Sequence, residues 1–334
     1  MLNKTKYREL CRKESSIPIF SRDWWMDAVC GSENWDVFIV ESDGEIIAAM
    51  PYYMVKWHGF TYIRQPKLTP KNGIWIKYPE MQSYSKRLSY EKEVMNSIIE
   101  QMELQRICCY EQGFDYSVTN WLPFYWKGFE QTTRYTYVIE DLTNLDRVFL
   151  NFDHSKRKNV KRATELVSVR TDLPAEDFYK NHEMTLAKQG KKISYEYELF
   201  SNLYNAAYLH DAGKVFYTVD PGGNIHAALF IVWDEGSAYD LISTIDPDFR
   251  NSGAASLLVQ EAIRYVSERT SKFDFEGSMI ENVENSFRKF GAVQKPYFVI
   301  SKEFKTGIGW PLLKKLAFAK KKVMEALKRA GGLK

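Results

Sequence analysis

The chain is poor in the residues that build redox and metal centres, with 4 cysteines and 5 histidines in 334 residues. None of Cys11, Cys30, Cys108 and Cys109 forms a C-x-x-C pair, and Cys108 and Cys109, adjacent on a strand, would point to opposite faces. Neither a disulfide framework nor a zinc site is expected. The histidines at 58, 154, 182, 210 and 226 are scattered without an H-x-x-x-H spacing, so no metal is expected. G-x-S-x-G, P-loop and dinucleotide motifs are also missing, which removes ordinary hydrolase, kinase and dehydrogenase chemistry. Residues 1–16 hold no apolar run, and no stretch has the length of a membrane-spanning helix, so the sequence reads as cytoplasmic. A net charge of +3 is too small to mark the whole protein as a nucleic-acid binder, and DNA is not an expected partner.

Hydrophobic content of 45% and aromatic content of 15% are enough for sizeable cores, and the length suits two domains. The division is expected near 143/144, with 144–305 as the second unit and 306–334 as a separate basic segment. From Trp310 to Lys334 there are eight Lys or Arg against one Glu, with Leu312, Leu316, Val323 and Leu327 along a helical stripe. Two readings of this amphipathic C-terminal helix stand side by side. It lies on an anionic surface at the inner membrane face, each nearby Lys or Arg adding about 1 kcal/mol at most, or it docks on the body with its charges in water.

The stretch from Ala238 to Ile300 organises the rest. It reads as a strand (Ser237 to Thr244), a turn (Asp246 to Gly253), an amphipathic helix (Ala254 to Glu268), a strand (Phe273 to Glu276), a helix (Glu281 to Phe290) and a strand (Tyr297 to Lys302). The turn is Arg250-Asn251-Ser252-Gly253-Ala254-Ala255, an R-x-x-G-x-A pattern where a strand hands over to a helix. Small residues there let backbone N–H groups approach an anion at the helix N-terminus, where N–H groups lack partners and the dipole is positive.

This turn resembles the pyrophosphate-binding turn of the GNAT acyltransferases, with Arg250, Gly253 and Ala255 in the matching positions. Phe273-Asp274-Phe275-Glu276-Gly277-Ser278-Met279, then Phe287 to Ala292 and Pro296-Tyr297, looks like the C-terminal half of the FemAB-like branch, in which two GNAT-like domains share one chain. The resemblance implies an α/β (α+β) fold of two tandem units, each a mixed sheet flanked by helices. The long coiled-coil arm of the staphylococcal enzymes is not expected, because sustained heptads are absent. Internal evidence agrees: Phe124 precedes Gly128 and Phe287 precedes Gly291 by the same spacing, and helix-strand-helix-strand order recurs in both halves. The first copy lacks the R-x-x-G-x-A turn, so one donor site per chain, in the second copy, is expected.

The resemblance implies acyl-CoA as co-substrate, its diphosphate held by Arg250, Asn251, Ser252, Gly253, Ala254 and Ala255. The acyl carbonyl would be polarised by backbone around Ser243 and Thr244. Asp274 and Glu276 alternate with phenylalanines and so share one strand face; Glu276 is the preferred base for the amine proton, against a role as helix cap or ion-pair partner. Tyr297 reads either as an acid for the leaving thiolate or as a buried structural tyrosine. Lys302 and Lys305 are candidates for the oxyanion stabiliser that the resemblance places near the final strand.

Two basic stretches remain. Lys71 and Asn72 lie in the loop Pro66 to Gly73, which reads as the lip of an acceptor cleft or as an ordinary connection. The run Lys156 to Arg162, including Arg157 and Lys158, opens a helix. Its readings are a solvated face, a phosphate contact and an RNA contact, the last weakened by the absence of interleaved aromatics. The resulting expectation is an N-acyltransferase acting on an amine of a cell-envelope or small-molecule acceptor. The family alternative is transfer from aminoacyl-tRNA to a peptidoglycan precursor, and an alternative of another class is a non-catalytic module binding an envelope precursor.

Overall fold

The computed structural model describes residues 2–304 except 58, 106 and 278. The expected C-terminal helix and Lys305 lie outside the described residues.

The first half runs α1 (Leu2–Lys13), α2 (Asp23–Cys30), β1 (Trp35–Ser42), β2 (Glu45–Trp57), β3 (Phe60–Arg64), β4 (Trp75–Ile76), α3 (Tyr84–Leu104), β5 (Ile107–Gly113), α4 (Leu122–Trp126) and β6 (Glu130–Ile139). The second runs α5 (Leu145–Leu150), α6 (His154–Leu166), β7 (Ser168–Arg170), α7 (Ala175–Ala187), α8 (Tyr197–Leu209), β8 (Gly213–Val219), β9 (Ile225–Trp233) and β10 (Ala238–Ile245). It closes with α9 (Ala254–Val266), β11 (Phe273–Asp274), α10 (Glu281–Phe287) and β12 (Val293–Glu303).

The strands form one 12-stranded mixed sheet in the order β1-β2-β3-β5-β12-β6-β11-β10-β9-β8-β7, with β4 paired to β2. Sequence pattern explains the positions of the strands within it. The nearly unbroken apolar run of β9, Ile-His-Ala-Ala-Leu-Phe-Ile-Val-Trp, is buried from His226 to Trp233 because helices cover both of its faces. On β1, Val37 and Ile39 join a core with α1, α2, α7 and α8, while Phe38 faces the opposite core with α3 and α4. The corresponding core of the second half gathers α6, α9 and Phe273, Phe275 and Phe290.

The two halves exchange their last strands. β12 inserts between β5 and β6, and β6 lies between β12 and β11. Superposing Gly128 on Gly291 swaps the Thr133–Phe298 and Tyr135–Pro296 pairs and leaves Arg134–Tyr297 in place, so a local twofold runs through that pair. The same operation carries the Tyr110–Lys302 pair onto Phe273–Ile139 and the Ile63–Tyr110 pair onto Ala238–Phe273. The duplication read from the sequence is thus present in the sheet.

One element and several boundaries differ from expectation. α1 was not anticipated, because its surface is charged and only Tyr7 and Cys11 are buried. β12 begins at Val293 rather than Tyr297, its first four residues, Val-Gln-Lys-Pro, being largely exposed and without an apolar alternation. β11 ends at Asp274 instead of Glu276, because Glu276 (φ +53) and Gly277 (φ +59) turn the chain into the left-handed region. A Cβ on Gly277 would come within 2.1 Å of the Tyr135 carbonyl oxygen, so the tight turn needs glycine there.

Candidate active site

β10 and β11 are paired in parallel only through Ala238–Phe273 and Tyr239–Asp274. Beyond that point β10 runs on to Ile245, with a bulge between Asp240 and Ile242, while β11 turns away at Glu276. The two strands therefore fork. At the far end of β10 the chain makes a 3₁₀ turn, Pro247–Ser252, before α9. Asp246 caps that turn at the Asp248 N–H, Lys188 Nζ reaches both Asp246 oxygens at 2.8 Å, and His226 stacks on Phe249 with ring centroids 3.9 Å apart. Arg250 and Asn251 are exposed. Gly253 takes φ +85 and packs on α6 so closely that a Cβ would meet the Asn159 carbonyl oxygen at 2.3 Å. Ser252 Oγ accepts from the Ala254 N–H, and α6 lies across the turn, with Arg162 Nε donating to the Ser252 carbonyl at 3.4 Å. The basic run and the R-x-x-G-x-A turn, separate in sequence, form one surface.

At the base of the fork sits a buried charge cluster. Lys71 is 2% exposed and Asp274 0%. Lys71 Nζ donates to Asp274 Oδ2 at 2.7 Å and lies 3.1 Å from Glu276 Oε1, close enough for an ion pair but off the line of a hydrogen bond. Asp274 Oδ1 accepts from Thr136 Oγ1 and, at 2.8 Å, from the Glu276 N–H. The rings of Tyr116, Tyr239 and Tyr297 surround the ammonium at 5.5, 5.5 and 5.7 Å. Burial alone would lower the Lys71 pKa, but the charges of Asp274, Glu276 and Asp115 outweigh it and hold the ammonium protonated. Burial pushes the Glu276 carboxyl up to about 8, opposed by Lys71 and reinforced by Asp274. Burial, then the Glu276 charge, also raises the Tyr297 phenol.

The first half has no such fork, because its own loop fills it. By the twofold, Gly113 stands where Glu276 stands in the second half. Gly113 donates its N–H to Gln65 Oε1 at 2.6 Å, its carbonyl accepts from the Asn72 N–H at 2.9 Å, and a Cβ there would meet the Pro70 carbonyl oxygen at 2.7 Å. The loop that plugs this fork is the one that delivers Lys71 to Asp274.

Residues 151–279 match the acetyltransferase (GNAT) domain family. Among solved structures, FemX shares 12% identity at a TM-score of 0.67, over 88% of this chain and 95% of that one. The chain carries a FemAB-like GNAT fold. A tandem GNAT protein from the clavulanic acid biosynthesis pathway is similar at 10% identity and a TM-score of 0.51, over 90% and 95% of the two chains. The C-terminal domain of a putative lysylphosphatidylglycerol synthetase from Agrobacterium fabrum is similar at 11% identity and 0.54, over 90% and 91%. No curated protein matches in sequence.

Within this GNAT fold, the structure gathers Lys71, Asp274, Glu276 and Tyr297 into one cluster, and Arg250 to Ala255 with α6 into another. It does not bring Lys302 to either. Five residues along β12 from Tyr297, about 16 Å away at strand rise, Lys302 donates to Glu103 Oε1 at 3.1 Å and to the Lys127 carbonyl at 2.8 Å. Asn72 is buried in the plug, its Oδ1 accepting from Gln65 at 3.0 Å and Gln112 at 3.1 Å. Arg157 caps the Phe152 carbonyl at 2.8 Å, while Lys158 is exposed. Thr244 Oγ1 is held by Asn181 Nδ2 at 3.1 Å. Ser243 is exposed on β10, and its Oγ donates to Asp240 Oδ1.

Sequence reasoning did not single out Thr136, Tyr116, Tyr239 or Asp240. The first three are ordinary core letters until the strands are paired. Asp240 had a signal, a lone acid inside the apolar strand Ala-Tyr-Asp-Leu-Ile. Among the described residues no helix is long and apolar enough to cross a membrane, and no group of three or more His, Cys, Asp or Glu converges as a metal site.

Proposed function

We propose that this protein is an N-acyltransferase that moves an acyl group from acyl-CoA to an amine. The observation that carries the reading is the fork itself. β10 and β11 part beside a buried carboxyl, and the strand that runs on ends at a helix N-terminus flanked by a basic helix. The fork gives a thioester a path between the strands, and exposed backbone of β10 beyond the last pair offers N–H groups to its carbonyl oxygen. Arg250, the Gly253–Ala255 backbone and Arg162 and Lys158 of α6 would take the diphosphate.

Glu276, held as a carboxylate beside the Lys71 ammonium, accepts the proton released when the amine attacks and becomes the neutral acid. Asp274 is not the base in this reading, since Thr136, the Glu276 N–H and Lys71 occupy its oxygens. Tyr297 lies within the ring of tyrosines and orients the acceptor. Its phenol, raised by burial, is protonated and able to donate to the departing thiolate.

A second reading takes the family alternative, an aminoacyl-tRNA donor with a peptidoglycan-precursor acceptor. The exposed basic face of α6 over the donor turn favours it, as does the likeness in fold to FemX. Calorimetric titration with coenzyme A and acetyl-CoA, beside an Arg250→Ala, Ala255→Glu variant, separates the two. A glutamate at the second helical position suits the dipole but repels a diphosphate, so the fold stays while the ligand leaves. Saturable binding lost in the variant supports acyl-CoA; no binding at millimolar ligand rejects it, and charged tRNA is then the donor to assay.

A further inference from the structure

Asp240 lies on β10 one residue past the last β10–β11 pair, at the start of the bulge. It is 5% exposed. Its Oδ1 accepts from Ser243 Oγ, but its Oδ2 is buried with no hydrogen-bond partner among the described residues. It makes no ion pair among them either. The same core face holds Ala238, Ile231 and Phe275, all apolar and buried. An apolar side chain would pack there without penalty, whereas an unpaired buried acceptor costs about 1–3 kcal/mol. Nothing in the unliganded fold explains the carboxyl.

Its position supplies the explanation. Asp240 stands where the strands begin to separate, which on the reading given above is where the acyl end of the donor lodges. The local charge points to the sign of the missing partner. Asp115 and Asp274 both act on Lys71, Asp274 acts on Asp240 as well, and the Lys71 ammonium is already engaged by Asp274. A cationic donor entering beside Asp240 would meet an unused acceptor in a negative field, and burial would strengthen the contact.

We infer that Asp240 is a specificity-determining residue that reads a hydrogen-bond donor on the transferred acyl group, an ammonium in preference to a hydroxyl. The inference rests on the β10–β11 fork being the donor site. A plain acetyl group would leave Oδ2 unpaired, and an amine-bearing acyl group would satisfy it.

The test is calorimetric titration with glycyl- and β-alanyl-CoA, each beside its isosteric ammonium-free partner, propionyl- and butyryl-CoA. The parent protein should bind one ammonium-bearing ester at least tenfold more tightly than its partner. In Asp240→Asn that preference should fall below about threefold, with affinity for the ammonium-free esters unchanged. Equal binding of both pairs by the parent, or a preference that survives in Asp240→Asn, overturns the inference while leaving acyl-CoA binding intact. The parent comparison decides even where the variant does not fold. If none of the four esters binds, the acyl-CoA reading fails on its own. The comparison is then made with a 3′-aminoacylamino-adenosine and its N-acetyl derivative, where preference for the free amine supports the inference and equal or absent binding overturns it.

Discussion

Lys71 Nζ lies 2.7 Å from Asp274 Oδ2, a contact between residues 203 positions apart that places a cation from the plugged first half in the open fork of the second. Both groups are almost wholly buried, so neither charge has water to fall back on.

Removing the cation is therefore costly. Lys71→Met leaves Asp274 and Glu276 as adjacent buried acids with no counter-charge, and breaking such a pair costs about 3–5 kcal/mol. Urea denaturation at pH 7 should show a loss in that range, and any remaining activity should have its pH dependence displaced to higher pH. A loss under about 1 kcal/mol would mean the ammonium is dispensable.

The pH profile of the parent follows from Glu276. A base whose carboxyl titrates near 8 is mostly protonated at neutral pH, so kcat/KM should rise with pH, about tenfold per unit well below 8, and level off above it. Glu276→Gln should lose on the order of 100-fold or more and flatten the profile. An inflection near 5 in the parent would assign the proton transfer to another group.

Asp240 governs stability in a defined window. Burial, with the Asp274 charge adding and Ser243 opposing, raises its carboxyl to about 7, whereas in an unfolded chain it titrates near 4. The folded state thus holds the proton more tightly. Its contribution is intact below about pH 4 and is lost as pH rises through 7. Glu276 acts in the same direction, so the informative quantity is the difference between Asp240→Asn and parent. Thermal denaturation should show the variant gaining on the order of 2–4 kcal/mol between pH 5 and pH 8 relative to the parent. No change in that difference would show that Asp240 is not buried as an acid.

Two glycines separate conformation from crowding. Gly128 (φ +75) has nothing within 4 Å of an added Cβ, while at Gly253 (φ +85) the Asn159 backbone is already there. Gly128→Ala should cost about 1 kcal/mol from the left-handed backbone alone. Gly253→Ala should cost clearly more, and should weaken coenzyme A binding by pushing α6 off the turn. Equal effects in chemical denaturation would remove the packing role assigned to Gly253.

Much of the fold was legible because its signals are local. The apolar run of β9, the small residues opening α9 and the stripe Leu258, Ala262, Val266 all depend on neighbours a few residues away. The R-x-x-G-x-A turn belongs to the same class. Lys71 was picked out as a loop cation, but nothing near it in sequence says that it meets Asp274, because that contact exists only after β12 and β6 have interleaved. Lys302 shows the converse. It sits on the right strand, yet its register opposite Tyr110 puts it with Glu103 and Lys127 instead of the carboxyl cluster. Asp240 was overlooked because a single acid has no periodicity.

The strand exchange has a consequence for how the chain comes to exist at all. A cut between residues 143 and 144 would strip the first half of β12 and the second of β6, leaving each with its last strand parted from the rest of its sheet by a gap of unpaired backbone. Neither fragment carries a sheet it can close alone, and each supplies the strand the other lacks. An unfused single copy built on this plan would be a reciprocal, two-fold dimer, and joining two copies in one chain turns that assembly problem into a folding problem.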